Sequence, residues 1–305
     1  MWPTLYTQHT NFADVPFNSW GLMITVAFSM AVIVSHRRAS RVGIDPDKLV
    51  GFYALCIVLG LVGARLMHFL MATPKEFFAH PEYFFQLSHG GFAFYGGFIL
   101  AILGSIPYAW SRGITWLKLA DVVSPTVMLG LGFGRVGCFL AGCCHGKPFP
   151  TALPADAVPL LPTTFAGGQV WIFNQAPFMV EMTHKGVGHN DLVVYPTQLW
   201  EMLASWVIFG ITSVIWHKWR KFDGVVLVFV LGLYAIWRPI NESMRGDEIR
   251  GTDWYGLTSS QFVSIWMAVA AIGVFFLGLY LGKRPETPFV PQRDEELIEG
   301  SAPKL

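Results

Sequence analysis

Seven ionisable side chains lie within, or at the ends of, strongly apolar stretches. Arg65 sits in LGLVGARLMHFL, Asp121 in KLADVVSP, Arg135 in LGFGRVGCFLAGCCHGKP and Glu201 in YPTQLWEM. Arg238, Glu242 and Arg245 follow one another in YAIWRPINESMRGDE. A charge in an apolar segment is costly unless it faces a polar cavity, a partner or a ligand. Singly, each reads as readily as a side chain reaching for the interface, or half of a structural ion pair, as it does as a functional group. As a set they read as a site. Arg238, Glu242 and Arg245 stand at i, i+4 and i+7, one helical face if the helix runs through Pro239. A proline there otherwise kinks the helix or starts a new turn. Two guanidiniums flanking a carboxylate can hold a phosphodiester by bidentate charge-assisted bonds. Around Arg135, Gly132, Gly134 and Gly137 thin the helix, so that another helix or a lipid headgroup can approach. This chemistry suits an anionic phospholipid, not a soluble metabolite.

A second group is thiol-bearing: Cys138, Cys143 and Cys144, followed by His145 and Gly146. Structural zinc sites show two ligand pairs at defined spacings. One cluster alone does not match that pattern, so no metal is expected. Adjacent cysteines form only strained disulfides with each other. The expected arrangement is small side chains lining the end of a helix, with His145 at the exit as a proton acceptor. Cys56, inside an apolar run, reads as a small buried hydrophobe. Tyr95 is a poor base but a good hydrogen-bond donor to a phosphate oxygen, or else an interfacial aromatic. His89, six residues earlier, is the alternative proton acceptor.

Such groups need a membrane scaffold, and the composition supplies one. Of 305 residues 53% are hydrophobic and 13% charged, with a mean hydropathy of +0.47. A soluble chain carries nearer a quarter charged residues, so an ordinary cytosolic enzyme, a disordered chain and a disulfide scaffold are excluded. A net charge of +1 gives no basic surface for nucleic acid. The 12 Trp and 25 Phe suit helix ends at a bilayer interface. The fold class expected is an all-α membrane protein. Stretches of about 20 apolar residues predict seven spans, at 20–35, 50–71, 92–110, 119–140, 198–216, 224–240 and 257–281.

Basic loops follow the first, third, fifth and seventh spans: Arg37, Arg38 and Arg41; Arg112 and Lys118; Lys218, Arg220 and Lys221; Lys283 and Arg284. Positive loops stay in the cytoplasm, so the N-terminus is expected outside and the C-terminus inside. The first twenty residues lack a basic region and an apolar core, so the first span is expected to act as its own insertion signal. Residues 145–195 then form a small exoplasmic head with a strand pair near 169–173 and 177–182. Residues 1–283 are expected to be a single membrane domain, and the polar, proline-bearing 284–305 a disordered cytoplasmic tail.

Four motifs in order, HGGFAFYGG (89–97), GRVGCFLAGCCHGKP (134–148), YPTQLWE (195–201) and YAIWRPINESMRGDE (234–248), resemble the prolipoprotein diacylglyceryl transferase family. SWGLM, GARLMHF and LADVVSP match weaker family positions, and the resemblance runs from about residue 20 to 281. It implies an enzyme of the bacterial inner membrane. The family moves the diacylglyceryl group of phosphatidylglycerol onto the lipobox cysteine of a prolipoprotein signal peptide and releases glycerol phosphate. Its partners are therefore phosphatidylglycerol, lipobox-bearing signal peptides and membrane lipids. It needs no metal and no organic cofactor. By resemblance, Arg135 falls on the family's lipid-headgroup arginine, Arg238 on its second essential arginine, and Tyr234, Glu242 and Arg245 on matching positions. Glu242 then organises the arginines. The chain departs from the pattern in four places, one being YPTQLWE where the family reads HPSQLYE. Tyr95 stands where the family has a histidine, Cys138 replaces an asparagine and Cys143 an acidic residue. Gly146, Arg65 and Asp121 are expected as supporting residues. Two other classes remain open: a lipid-binding or lipid-moving protein on the same fold, and a membrane thiol-redox protein using Cys143 and Cys144.

Overall fold

The computed structural model describes residues 4–9, 14–71, 73–85, 91–147, 158–159, 168–172, 179–182, 192–245 and 258–282. His89 and the polar tail 284–305 lie outside the described residues. Seven helices are long and apolar enough to cross a membrane: α1 Ser19–Arg41, α2 Pro46–Met71, α4 Phe94–Ser111, α5 Trp116–Ala141, α6 Thr197–Lys218, α7 Val225–Ser243 and α8 Ser259–Leu281. The short α3 (Pro74–Ala79) and a 3-10 turn (Pro81–Phe85) follow α2. Each span lies within a few residues of its expected position. Large apolar side chains such as Val58, Leu103, Val207, Ile236 and Phe276 point away from the protein. Apolar surface on that scale suits lipid and not water. The chain is a multi-pass membrane protein.

Local chemistry sets the helix ends. Asp45 Oδ1 accepts from the Asp47 amide at 3.0 Å, capping α2 just before Pro46 in its first turn. Thr258 and Gln261 form a reciprocal capping box at the start of α8.

Two short strands precede α1: β1 (Thr4–His9) pairs antiparallel with β2 (Asp14–Asn18). Between α5 and α6 an antiparallel sheet runs in the order β3 (Val158–Pro159), β4 (Gly168–Ile172), β5 (Met179–Met182), β6 (Leu192–Val194). The expected strand pair is the β4–β5 ladder, in the register Gly168↔Met182 to Trp171↔Met179. The outer strands β3 and β6 had no sequence signal.

The helices divide into two compact units, one within Met1–Ala31 and Val123–Lys283, the other within Val32–Val122. In the latter, α2 and α4 cross through glycine. A Cβ on Gly63 would strike the Gly96 backbone, one on Gly96 the Gly63 backbone, and one on Gly97 the carbonyl of Gly60. The FYGG motif is thus a helix-crossing device, since only a missing side chain lets two backbones approach so closely. Tyr108 of α4 donates to the Lys48 carbonyl at 2.6 Å and ties the other end of the crossing. In the first unit, Met128 of α5, Ile208 of α6 and Val230 of α7 form a buried cluster, with Tyr234 packed against it.

Candidate functional site

α7 continues through Pro239 to Ser243, with Arg245 just beyond its Met244 cap. Tyr234, Arg238, Asn241 and Glu242 therefore share one face, and that face meets α6. Glu201 of α6 is fully buried. Its Oε1 accepts from the Tyr234 hydroxyl at 2.7 Å, and its Oε2 from Arg238 Nη1 at 3.4 Å and from the Asn241 amide. Arg238 Nη2 donates to Glu242 Oε2 and to Ser260 Oγ of α8, both at 2.9 Å. Arg245 Nε stands 4.0 Å from the same Glu242 oxygen. A buried pair is tolerable only when further hydrogen bonds answer its remaining donors and lone pairs, and here Tyr234, Asn241 and Ser260 do so. Two carboxylates thus face two guanidiniums.

Arg135 is a further guanidinium of this unit. Gly132 and Gly137 thin α5 on either side of it. A Cβ on Gly132 would strike the Trp206 indole of α6, and one on Gly137 would lie 3.1 Å from Met23 Cβ of α1. Helices, not a headgroup, fill those two notches. The buried Arg135 Nε has no hydrogen-bond partner among the described residues, although the guanidinium acts electrostatically on the Tyr234 phenol and the Cys144 thiol. An anionic oxygen is a strong, charge-assisted acceptor for such a donor.

α5 stops at Gly142, whose φ of 75° only glycine adopts without strain. Beyond it, Gln198 Nε2 donates to the Cys143 carbonyl at 2.8 Å and Thr197 Oγ1 to the Cys144 carbonyl at 3.1 Å. The YPTQLWE motif thereby pins the cysteine turn onto α6. Hydrogen bonds from Cys138 and Cys143 hold the Cys144 thiol well below its ordinary range, helped by Arg135 and Arg245. Cys143 is pushed up by its bonds to Cys138 and Cys144.

His145 Nδ1 lies 3.1 Å from the Gly146 carbonyl. A carbonyl only accepts, so Nδ1 carries the proton in that bond. Gly146 forms an isolated bridge with Arg245. Its amide donates to the Tyr195 carbonyl at 2.8 Å, and a Cβ there would sit 2.7 Å from the Met244 carbonyl. Gly146 is thus the residue that lets the end of α7 close on the turn after α5.

The first unit therefore brings together Arg135, Glu201, Tyr234, Arg238, Glu242, Arg245 and the Cys138–Gly146 turn. The other expected residues lie in the second unit. Tyr95, half-buried on α4, packs edge-on against Phe94. Asp121 is fully buried in the first half of α5. Arg65 is held by backbone: Nη2 donates to Tyr83 O at 2.7 Å, Nη1 to Gly91 O at 3.1 Å and Nε to Phe84 O at 3.2 Å. Its guanidinium also stacks 4.7 Å from the Phe69 ring centre. Glu201 stands out in the sequence only as one charge of the set, and Asn241 and Ser260 do not stand out at all. The available signal was the i, i+4, i+7, i+8 face formed by Tyr234, Arg238, Asn241 and Glu242, which already holds Asn241. An apolar groove between α7 and α8, lined by Val228, Phe229, Leu233, Ile272, Phe275 and Phe276 among others, carries no ionisable group.

A sequence profile of the family described as prolipoprotein diacylglyceryl transferase matches residues 9–277. Among curated relatives, the phosphatidylglycerol–prolipoprotein diacylglyceryl transferase of Clostridium tetani is 29% identical over 258 residues, 84% of this chain and 91% of the relative. The protein of the same name from Burkholderia thailandensis is 28% identical over 284 residues, 87% of this chain and 94% of the relative.

Proposed function

The chain belongs to the prolipoprotein diacylglyceryl transferase family, and from that premise we propose that it moves the diacylglyceryl group of phosphatidylglycerol onto the lipobox cysteine of prolipoprotein signal peptides. The observation that carries this reading is Arg135. It is a guanidinium whose buried Nε lacks a hydrogen-bond partner among the described residues, in the same unit as a network whose two carboxylates are already engaged.

The chemistry follows from what must change charge. The substrate thiolate attacks the glyceryl carbon that bears the phosphate. A C–S bond forms, the C–O bond breaks, and its electron pair leaves on glycerol phosphate. Negative charge therefore grows on the phosphate oxygens, and Arg135 and Arg238 stabilise it as donors already in place, the effect that usually contributes most to rate. Arg238 is oriented by Glu201, Glu242 and Ser260. Glu242 acts as an organiser of Arg238 and Arg245 and not as a base, because its Oε2 is engaged by the guanidinium. The thiol proton goes to His145 Nε2. By resemblance, Tyr95, at the family's histidine position, is read as a hydrogen-bond donor to the lipid. The enzyme lies in the bacterial inner membrane with its N-terminus outside and its C-terminus cytoplasmic, in keeping with the basic residues that end α1 and α6. That orientation puts the ends of α5 and α7 on the outer side, where signal-peptide cysteines are exposed after translocation.

The test is direct. Purified protein, phosphatidylglycerol and a lipobox peptide are incubated, and the peptide is weighed by mass spectrometry. A diacylglyceryl adduct on cysteine with release of glycerol phosphate is the expected result. Retained phosphatidylglycerol with no adduct would replace the transferase reading by that of a lipid-binding protein.

A further inference from the structure

Three thiols within seven consecutive residues converge at the end of α5, and the reason is the way the helix stops. The Gly142 amide donates to Phe139 O at 3.2 Å and the Cys143 amide to Cys138 O at 3.1 Å. These are the paired bonds of a Schellman motif, which lays the second residue past the cap against the third residue before it. An apolar pair usually fills those two positions. Here they are Cys143 and Cys138. Cys144 follows with φ 61°, the one non-glycine residue at positive φ among those described. The three Sγ atoms thereby lie within 4.8 Å of one another. All three are free thiols, with Cys143 exposed. The carbonyls of Cys143 and Cys144 are fixed by Gln198 and Thr197, so the turn is held from outside.

A metal about 2.3 Å from three sulfurs in a plane sets those sulfurs about 4 Å apart. The observed cluster is already near that spacing. We propose that Cys138, Cys143 and Cys144 bind one thiophilic d10 cation, Cu(I) or Zn(II), as a three-thiolate site. Sulfur-only ligation favours such soft or borderline ions over Mg2+ or Ca2+. Binding displaces the S–H protons to solvent, and Arg135 and Arg245 offset the excess negative charge. Exposed Cys143 gives the ion its way in. The inference does not rest on the transfer reaction, although Arg135 stands beside both groups, the Cys144 thiol and the Tyr234 phenol. It also revises the expectation from spacing alone, because the ligand geometry comes from a helix-termination motif and not from paired Cys-x-x-Cys loops.

Full-length protein, purified in detergent and reduced under anaerobic conditions, is loaded with Zn(II) or with Cu(I) from a weak chelator. Metal per chain is then measured after desalting. Wild type and Cys56→Ser should retain about one ion. Losing only a hydrogen-bonding partner of a ligand weakens metal sites by roughly 10–100-fold, so Cys138→Ser, Cys143→Ser and Cys144→Ser should each lose at least as much. Retention of Cu(I) alone supports a trigonal site, and retention of Zn(II) alone supports three thiolates completed by water. Alkylation of wild type gives a readout that does not depend on how variants fold: metal should slow labelling of Cys143 but leave Cys56 unchanged. Failure to retain either ion, unchanged stoichiometry in Cys143→Ser, or unprotected Cys143 would each overturn the site.

Discussion

Arg65 and Arg135 are both arginines embedded in membrane-spanning helices, and the protein treats them in opposite ways. Arg65, 3% exposed, is saturated by the carbonyls of Tyr83, Phe84 and Gly91 and stacked on Phe69. It staples the segment after α2 to its own helix. Arg135 keeps a buried Nε without a hydrogen-bond partner among the described residues. The difference teaches that an intramembrane charge is not by itself a functional mark. What separates these two arginines is that main-chain carbonyls answer the Arg65 guanidinium, whereas the buried Arg135 Nε has no such acceptor among the described residues.

That contrast can be broken or sharpened by substitution. The largest effect is expected at Glu201, which links Tyr234, Arg238 and Asn241. Removing one partner of a buried pair typically costs about 3–5 kcal/mol because a charge is left unanswered. Glu201→Ala should therefore lower the unfolding temperature in detergent sharply and lose transfer with it. Arg135→Ala should do the reverse: an unchanged unfolding temperature, with turnover reduced roughly 10²–10³-fold, the usual cost of one transition-state donor. Arg135→Lys should recover little of it, because an ammonium cannot make the bidentate contact. Arg65→Met should cost about 1–3 kcal/mol of stability by stranding buried carbonyls. Its turnover per folded molecule should fall far less than that of Arg135→Ala. The smallest effect is expected at Tyr95. Loss of one hydrogen bond of about 1 kcal/mol in Tyr95→Phe should slow transfer roughly fivefold, and Tyr95→His should keep or raise the rate. If His145→Gln leaves the rate unchanged, the proton goes elsewhere.

Much of this was legible in the sequence because it is local. Hydropathy alone marks the seven spans. The 3.6-residue period puts Arg238, Glu242 and Arg245 on one face if the helix runs through Pro239, and α7 does run through it to Ser243. What escaped is non-local or conformational. Glu201 meets its partners from another helix, 33 to 40 residues away in the chain. Ser260 reaches Arg238 from α8, and no periodicity within α7 points to either. The thiol cluster was read by ligand spacing, whereas its geometry comes from the backbone turn at Gly142. Arg65 looked like a site residue because its partners are main-chain carbonyls, which leave no trace in residue types.

The central claim is that Arg135 is the guanidinium reserved for the lipid phosphate. Native mass spectrometry of the purified protein with phosphatidylglycerol, run on wild type, Arg135→Ala and Arg65→Met, addresses it without depending on turnover. Wild type and Arg65→Met should retain the lipid, and Arg135→Ala should lose most of it. Equal retention by Arg135→Ala would contradict the claim.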